Sequence, residues 1–449
     1  MASSRSLSTT PTPKIGILTS GGDCPGLNAV IRSVVKCATQ RGWEIYGIPY
    51  GTQGLITLEQ GNCHSQDFRL YDHGFDIPGL LHGMDILQFL SGSILGSLNK
   101  GNPSDPLIAQ EILEGYQKLG LDALIALGGD GSLDIINDLA EQGHWNWIAI
   151  PKTIDNDVPL TERALGFDTA VDTVTRALYD LTFTAASHSR IIVVQVMGRD
   201  AGHLALQSGI AGGADVILIP ELTPQLTDSV LDDVCQQIVK LRHNDRQFAL
   251  IVLAEGVRNQ AGKKEKYIGD SLAKQIQHHS DRLCQTGNPE FCVLQGLETR
   301  ATTLGHIQRS SMPSSFDRLI AAAFGRKAVE LIAAQQYQQM VIWSQGQVDS
   351  RPLSMVIPLI KQRHQAHQCT RPVELSDPWV TTARDLGIYV GSSAEWDQDQ
   401  DQELDTKLEQ ELDTELDQEL DTELEQEKAT DLPQKTSFAF SQAALGEAL

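Results

Sequence analysis

Cysteine is scarce: the 449 residues hold seven, at positions 24, 37, 63, 235, 284, 292 and 369, with no CxxC pair among them. An odd, scattered set describes neither a disulfide framework nor a zinc ribbon, and it fits free thiols in a reducing cytoplasm. Long apolar runs are missing too. None approaches the roughly 18 residues of a membrane span, and residues 1–13 are Ser/Thr/Pro-rich without a hydrophobic centre, so neither a span nor a secretory leader is expected. Positive charge is in deficit, with 35 Lys and Arg against 58 Asp and Glu for a formal charge of −23. That balance argues against nucleic acid or an anionic membrane as partner. At 41% hydrophobic and this length, the chain has material for two or three domains with real cores, enough for a cytoplasmic enzyme.

The acidity is concentrated. Residues 395–431 carry 17 acidic and two basic side chains, so −15 of the charge lies there and the body of the chain is only mildly acidic. The tract repeats ELDTKLEQ, ELDTELDQ and ELDTELEQ, with Leu at every fourth position. A period of four drifts about 40° per step around a helix, so the leucines form no seam and like charges stack at i and i+4. The reading is a solvated, disordered tail over 395–431, a flexible end over 432–449 and a flexible N-terminus over 1–13, with a partner-binding helix or a short helical bundle as the alternatives for the tract.

From Lys14 to about Gly391 short apolar runs alternate with helical stretches. The runs at 14–20, 122–128, 145–150, 190–198, 215–221 and 248–256 are rich in Ile, Val and Leu without strict alternation, as strands buried on both faces are. Helical spacing follows the first run (LNAVIRSVVKCATQRG), precedes the second (DPLIAQEILEGYQKLG) and resumes after Gly166. The expected class is α/β: two similar doubly wound, mostly parallel three-layer domains facing a shared cleft, with a boundary near Gly166. The strand ends read SGGD, GGDGS, PKTIDND, MGRD, PE and AEG, and in open parallel sheets ligands bind beyond those carboxyl ends.

Neither GxxxxGK[ST] nor GxGxxG occurs in these turns, which sets aside the P-loop and the dinucleotide fingerprint. What occurs is Gly21-Gly22-Asp23 and Gly128-Gly129-Asp130-Gly131-Ser132, each between a strand and a helix, where bare backbone can approach a phosphate. Asp130 is a candidate ligand for a hydrated Mg²⁺, an ion that takes one or two carboxylates together with substrate phosphates. The stretch from Pro151 to Asp157 offers two carboxylates two residues apart, one of which can serve as base for transfer to a hydroxyl. Arg190, Arg199, Arg300, His306 and Arg309 are candidate anion donors, and Glu255 a candidate acceptor for sugar hydroxyls. Each feature alone also has a plain structural reading: a capped turn for GGD, an Asx turn for TIDND, surface ion pairs for the arginines, a capping carboxylate for Glu255.

Taken together and in order, KIGILTSGGDCPGLNAVIRSVV, GGDGS, PKTIDND, GFDTA, MGRDAGH, AGGADVILIPE and TRATTLGHIQR resemble the 6-phosphofructokinases that use ATP or pyrophosphate, over about Lys14 to Gly391. The resemblance implies transfer of a phosphoryl group to the 1-hydroxyl of fructose 6-phosphate in glycolysis, with Mg²⁺ on the donor phosphates. By motif, Asp155 is the base, and Thr153, Ile154, Asp157 and Arg199 complete the catalytic set. Gly22, Gly129, Asp130, Gly131 and Ser132 meet the donor, with Asp130 at the metal. Lys100 stands in for an arginine that relatives place at about Asn99. Met197, Gly198, Arg199, Glu255, His306, Ile307, Gln308 and Arg309 hold the sugar phosphate. Arg190 and Arg300 reach into a neighbour's site, so a homodimer or homotetramer is implied. In domain terms, 14–166 with part of about 308–360 binds the nucleotide, and 167–307 with about 361–391 binds the sugar phosphate.

Donor choice turns on two positions. In this family Gly at 131 accompanies nucleotide use, while pyrophosphate enzymes carry Asp there and Lys at 152; this chain has Gly131 and Lys152, as in the mixed-substrate branch. Without a side chain at 131 an adenosine-bearing phosphate can pass, and Lys152 can lie on an oxygen of either donor. ATP is the expected donor, pyrophosphate or ADP the alternatives. A silent sugar-phosphate sensor whose tail recruits a partner is the alternative of another class.

Overall fold

Strands that are apolar on both faces need cover on both, and the chain supplies it with helices. The computed structural model describes residues 12–391 apart from 74–75, 98–102 and 104; Lys100, the acidic repeat at 395–431 and residues 432–449 lie outside the described residues, as does all but the last part of the lead-in. One sheet contains β1 (Lys14–Thr19), β2 (Glu44–Ile48), β3 (Arg69–Leu70), β4 (Ala123–Gly128) and β5 (Trp147–Pro151). The second contains β6 (Arg190–Val196), β7 (Val216–Leu218), β8 (Ala249–Ala254) and β9 (Glu298–Thr303), and the chain then returns to the first with β10 (Gln339–Ser344) and β11 (Gln347–Pro352). The orders are β11-β10-β5-β4-β1-β2-β3 and β7-β8-β6-β9, parallel throughout except for β11 and β3 at the edges of the larger sheet.

The helices are α1 (Leu27–Thr39), α2 (Gln53–Glu59), α3 (Pro106–Leu119), α4 (Asp130–Gly143), α5 (Phe167–His188), α6 (His203–Ala211), α7 (Asp228–His243), α8 (Ile268–Gln285), α9 (Ser315–Ala333), α10 (Leu353–Gln365) and α11 (Pro378–Asp385). Their ends carry local signals: α3 starts on Asp105, whose side chain accepts from Leu107 N, has Pro106 in its first turn, and stops at left-handed Gly120.

The period-2 alternation of each strand divides the core. In β4, Leu124 and Ala126 pack with α2, α3, α4 and α10, while Ile125 and Leu127 face the layer of α1 and α9. In the smaller sheet, Val193 and Ile251 pack on α7 and α8, while Val194 and Val252 face α5 and α6. The inner faces of both sheets share one continuous core through α1, α5, α6 and α9. The expected strand at 215–221 is shorter than its apolar run, closing at Leu218. Beyond it the chain turns at Pro220, and Glu221 is bonded to two backbone amides, Gly202 N and Val373 N, outside the sheet.

Candidate active site

β1, β4, β5 and β6 end on the same side, and the turns after them line a single cleft of about 250 Å³. From the larger sheet come Gly21, Gly22, Asp23, Gly129 to Ser132 and Lys152 to Asp155, and from the smaller-sheet half come Met197, Arg199 and Arg309. The shape of each turn follows from its residues. Gly21 has φ +80, and a Cβ there would stand 2.8 Å from Ser132 Oγ, so only glycine fits. Helix α4 begins at Asp130 with a glycine cap, leaving amide donors of its first turn at the cleft, where the helix end favours an anion. Gly131 differs from Gly21: nothing lies within 4 Å of where its Cβ would be.

The turn after β5 is held from inside. Asn156 is buried in a left-handed conformation (φ 53); its Nδ2 donates to Glu162 O at 3.0 Å and its Oδ1 accepts from Ala164 N at 2.9 Å. These bonds reach six and eight residues along the chain, so Asn156 anchors the turn to the segment that follows it and forms no Asx turn of its own. Thr153 Oγ1 accepts from Asp155 N at 3.0 Å. Lys152 is buried and donates through Nζ to Gly22 O, tying the first Gly turn to the third strand end. Burial pulls its ammonium pKa down.

Charge is crowded here. Burial pushes the Asp155 carboxyl up to about 6, with Arg199 opposing the shift and Glu255 and Asp130 adding to it. Burial, then Asp155 and Asp130, raise Asp157 as well. The Arg199 guanidinium lies 3.5 Å from Asp155 Oδ2 and 3.6 Å from Asp130 Oδ1 and is 65% exposed, poised over both. Its backbone is left-handed (φ 51) after Gly198 (φ 133), with its N–H donating to Glu255 Oε1 at 3.0 Å. A non-glycine residue held there is strained by about 1–3 kcal/mol, a conformation that clusters at functional sites.

For a metal, the donor set is carboxylate. Asp130 and Asp157 both line a second pocket of about 450 Å³ adjoining the cleft, and the buried Oδ1 of Asp157 has no partner among the described residues. Among the described residues no group of three or more His, Cys, Asp or Glu could hold an ion alone. Two hard oxygen ligands beside an anion cradle fit Mg²⁺ taken up together with donor phosphates.

The cleft thus brings together Gly22, Gly129, Asp130, Gly131, Ser132, Lys152, Thr153, Ile154, Asp155, Met197, Arg199 and Arg309. Arg309 pairs with Asp23 at 3.2 Å. Asp157 sits in the adjoining pocket, and Gly198 and Glu255 stand behind Arg199. His306, Ile307, Gln308 and Arg309 share one 3₁₀ turn, in which His306 and Ile307 are exposed and Gln308 is fully buried. The Gln308 side chain accepts from Met197 N and donates to Gly305 O, so it braces two cleft loops from beneath. Arg190 and Arg300 do not line this cleft. Arg190 opens β6, whose other end reaches the cleft about 20 Å away, and both arginines pair with Glu298. Sequence reasoning missed Asp23, Ile135, His364 and Thr370; the last two approach Asp130 from 234 and 240 residues away, with no local pattern to mark them.

All seven cysteines are free. Among the described residues no helix is long and apolar enough to cross a membrane.

Known proteins share this chain's sequence and architecture. "ATP-dependent 6-phosphofructokinase 2" of Nostoc sp. is 48% identical over 384 residues, 84% of this chain and 98% of the relative. The Trichormus variabilis "ATP-dependent 6-phosphofructokinase" is 46% identical over the same shares. The solved phosphofructokinase of Saccharomyces cerevisiae superposes with a TM-score of 0.62 at 25% identity, over 79% of this chain and 46% of that longer one. The sequence model described as Phosphofructokinase matches residues 14–332, a stretch that holds every turn lining the cleft, and the chain belongs to that family.

Proposed function

We propose that this chain is an ATP-dependent 6-phosphofructokinase, moving the terminal phosphoryl group of ATP to the 1-hydroxyl of fructose 6-phosphate to give the 1,6-bisphosphate. The observation that carries the reading is that Asp130 and Asp155 open onto one cleft, between Gly-rich turns on one side and Arg199 and Arg309 on the other. Phosphoryl transfer asks a protein chiefly for positioning and charge. Asp155 takes the proton of the attacking hydroxyl, held toward it by the Thr153 contact. Arg199 balances charge on the moving group. Amides of Gly22, Gly129 and Ser132 cradle the donor, and Gly131, whose own N–H is taken by Asp130 Oδ1, leaves the space it passes through. Asp130, with Asp157 behind it, holds Mg²⁺, which supplies neutralisation of the donor's phosphate oxygens. Arg309, His306, Glu255, Met197, Gly198 and Ile307 receive the sugar phosphate, with Gln308 as brace.

Arg190 and Arg300 complete the site of a second copy in a homodimer or homotetramer. Their distance from their own cleft supports this, as does the edge position of β9, which leaves a row of backbone groups for cover. Exposed Tyr179, Phe183, Ile307 and Met312 point the same way. In domain terms the larger sheet serves the donor and the smaller one the sugar phosphate, in the cytoplasm.

For ATP as donor, the open space at Gly131 and the names of the curated relatives are the support. Pyrophosphate is the second reading, favoured by the Lys152 ammonium in the cleft wall. The test is bisphosphate formation by purified protein given fructose 6-phosphate, Mg²⁺ and, separately, ATP, ADP and pyrophosphate. ATP turnover is expected. Turnover with pyrophosphate alone would reverse the donor assignment, and no product with any donor would favour a sugar-phosphate sensor.

A further inference from the structure

Past residue 332, where the family match ends, the chain comes back to the cleft once more. Between α10 and α11 it runs along the flank of the catalytic turn. His364 Nε2 stands 2.9 Å from Asp130 Oδ2. Thr370 Oγ1 donates to the Asp157 carbonyl at 2.6 Å and lies 3.4 Å from the same Asp130 oxygen. Arg371 donates to the Asn156 carbonyl at 2.7 Å. On its other side the segment reaches the smaller sheet: the Arg371 carbonyl is 3.0 Å from His203 Nε2 at the start of α6, and Val373 N donates to Glu221 Oε1, which also accepts from Gly202 N. Residues 364–373 therefore strap the turn bearing Asp155 to the helix that follows the Arg199 loop.

We propose that this strap is a positioning element of the active site, with His364 and Thr370 holding Asp130 and Asp157 in the geometry that takes the metal–donor complex. The inference rests on the phosphofructokinase reading above. Its physics is local. Asp130 Oδ1 is fixed by the Gly131 amide at 2.7 Å, whereas among the described residues Oδ2 is held by His364 at 2.9 Å, with the Thr370 hydroxyl packed 3.4 Å away and its proton given to the Asp157 carbonyl. Without them the carboxylate is free to rotate toward Arg199, 3.6 Å away. A carboxylate oxygen has two lone-pair sites, so accepting from His364 leaves room for a cation. Asp157 Oδ1 has no partner among the described residues, so its side chain is aimed by its backbone, and Thr370 holds the carbonyl of that residue. Hydrogen-bond partners of ligating groups typically change metal affinity by about 10–100-fold when removed.

The test uses the full chain with Mn²⁺ as probe, its free concentration read by electron paramagnetic resonance in the presence of ADP, alongside calorimetric binding of fructose 6-phosphate. His364→Ala and Thr370→Val should each weaken Mn²⁺ binding with ADP by about 10–100-fold and leave fructose 6-phosphate binding within about twofold. His364→Gln and Thr370→Ser, which keep a donor, should recover most of the loss. Mn²⁺ affinity within about twofold of the parent in both deletion variants would overturn the inference alone. So would equal loss of both ligands with a collapsed melting temperature, which marks a scaffold role. A parent chain that fails to bind Mn²⁺ with ADP would overturn the underlying reading and the inference with it.

Discussion

At the scale of single residues, Asp155 draws its usefulness from an unfavourable environment. Burial lifts its carboxyl to about 6 against the pull of Arg199, so at pH 7 it is mostly ionised yet a stronger base than an ordinary aspartate near 3.9. A base works only unprotonated. kcat/KM for fructose 6-phosphate should therefore fall about tenfold per unit as pH drops through about 6, and Asp155→Asn should lower kcat by about 10²–10⁴ and abolish that limb. A parental profile flat down to pH 5 would remove Asp155 from the role. Gly131 makes a different prediction. Its missing side chain faces open space, so Gly131→Asp should fold with an unchanged melting temperature while a carboxylate enters the donor's path. Like charges brought together cost several kcal/mol, hence a loss of about 100-fold or more in kcat/KM for ATP. Unchanged kinetics with ATP would refute the steric account of donor choice.

Among the elements, the long helix α5 starts directly behind the catalytic turn with a glycine cap that offers no side chain. The missing acceptor comes from α9: the fully buried Asp317 takes Gly166 N and Thr169 N, each at 2.8 Å, and the Thr169 hydroxyl. Two helix N-termini thus share one carboxylate, which suits the positive ends of both dipoles. Asp317→Ala strands those amides in the interior and should destabilise the protein by about 2–5 kcal/mol, read as a lower denaturant midpoint; an undisturbed midpoint would show that water replaces the carboxylate. The residues around this joint explain what a sequence discloses. β1, β4, β5, β6 and β8 were legible because their apolar runs are short, rich in Ile and Val and closed by Gly or polar turns, which favours a strand covered on both faces over a buried helix, and α5 because its pattern begins at Gly166. The GGD, GGDGS and TIDND turns were legible as one site because each follows such a strand. β3, two residues long, and β11, QVDSRP with Val348 as its one apolar residue against the core, carry no such signal. The grip of Lys152 on Gly22 O, the burial of Gln308 and the strap on Asp130 depend on partners more than 100 residues away, and no local periodicity encodes them.

On the scale of the whole molecule, the relatives define the working region. The Nostoc protein is matched over 98% of its length by 84% of this chain, and the family match at residues 14–332 takes in every turn that lines the cleft. Inside the matched region, the proposed role of two arginines across subunits can be separated from a plain surface ion pair. Arg190 and Arg300 form a pair around Glu298 at the far end of the strand that leads to Met197, so no modest side-chain motion brings them to their own Asp155. A complementation experiment separates the cases. Asp155→Asn subunits lack the base, and subunits carrying Arg190→Ala with Arg300→Ala lack the distant cations; each alone should turn over poorly at low fructose 6-phosphate. In a dimer that joins one of each, the double-variant chain's Asp155 meets the arginines of the Asp155→Asn chain, and one whole site is rebuilt. Random pairing of equal amounts makes half the dimers hybrid, so activity should return to about a quarter of the parent's. Arginines that served their own chain would leave every hybrid site short of either base or cations, and mixing would restore nothing.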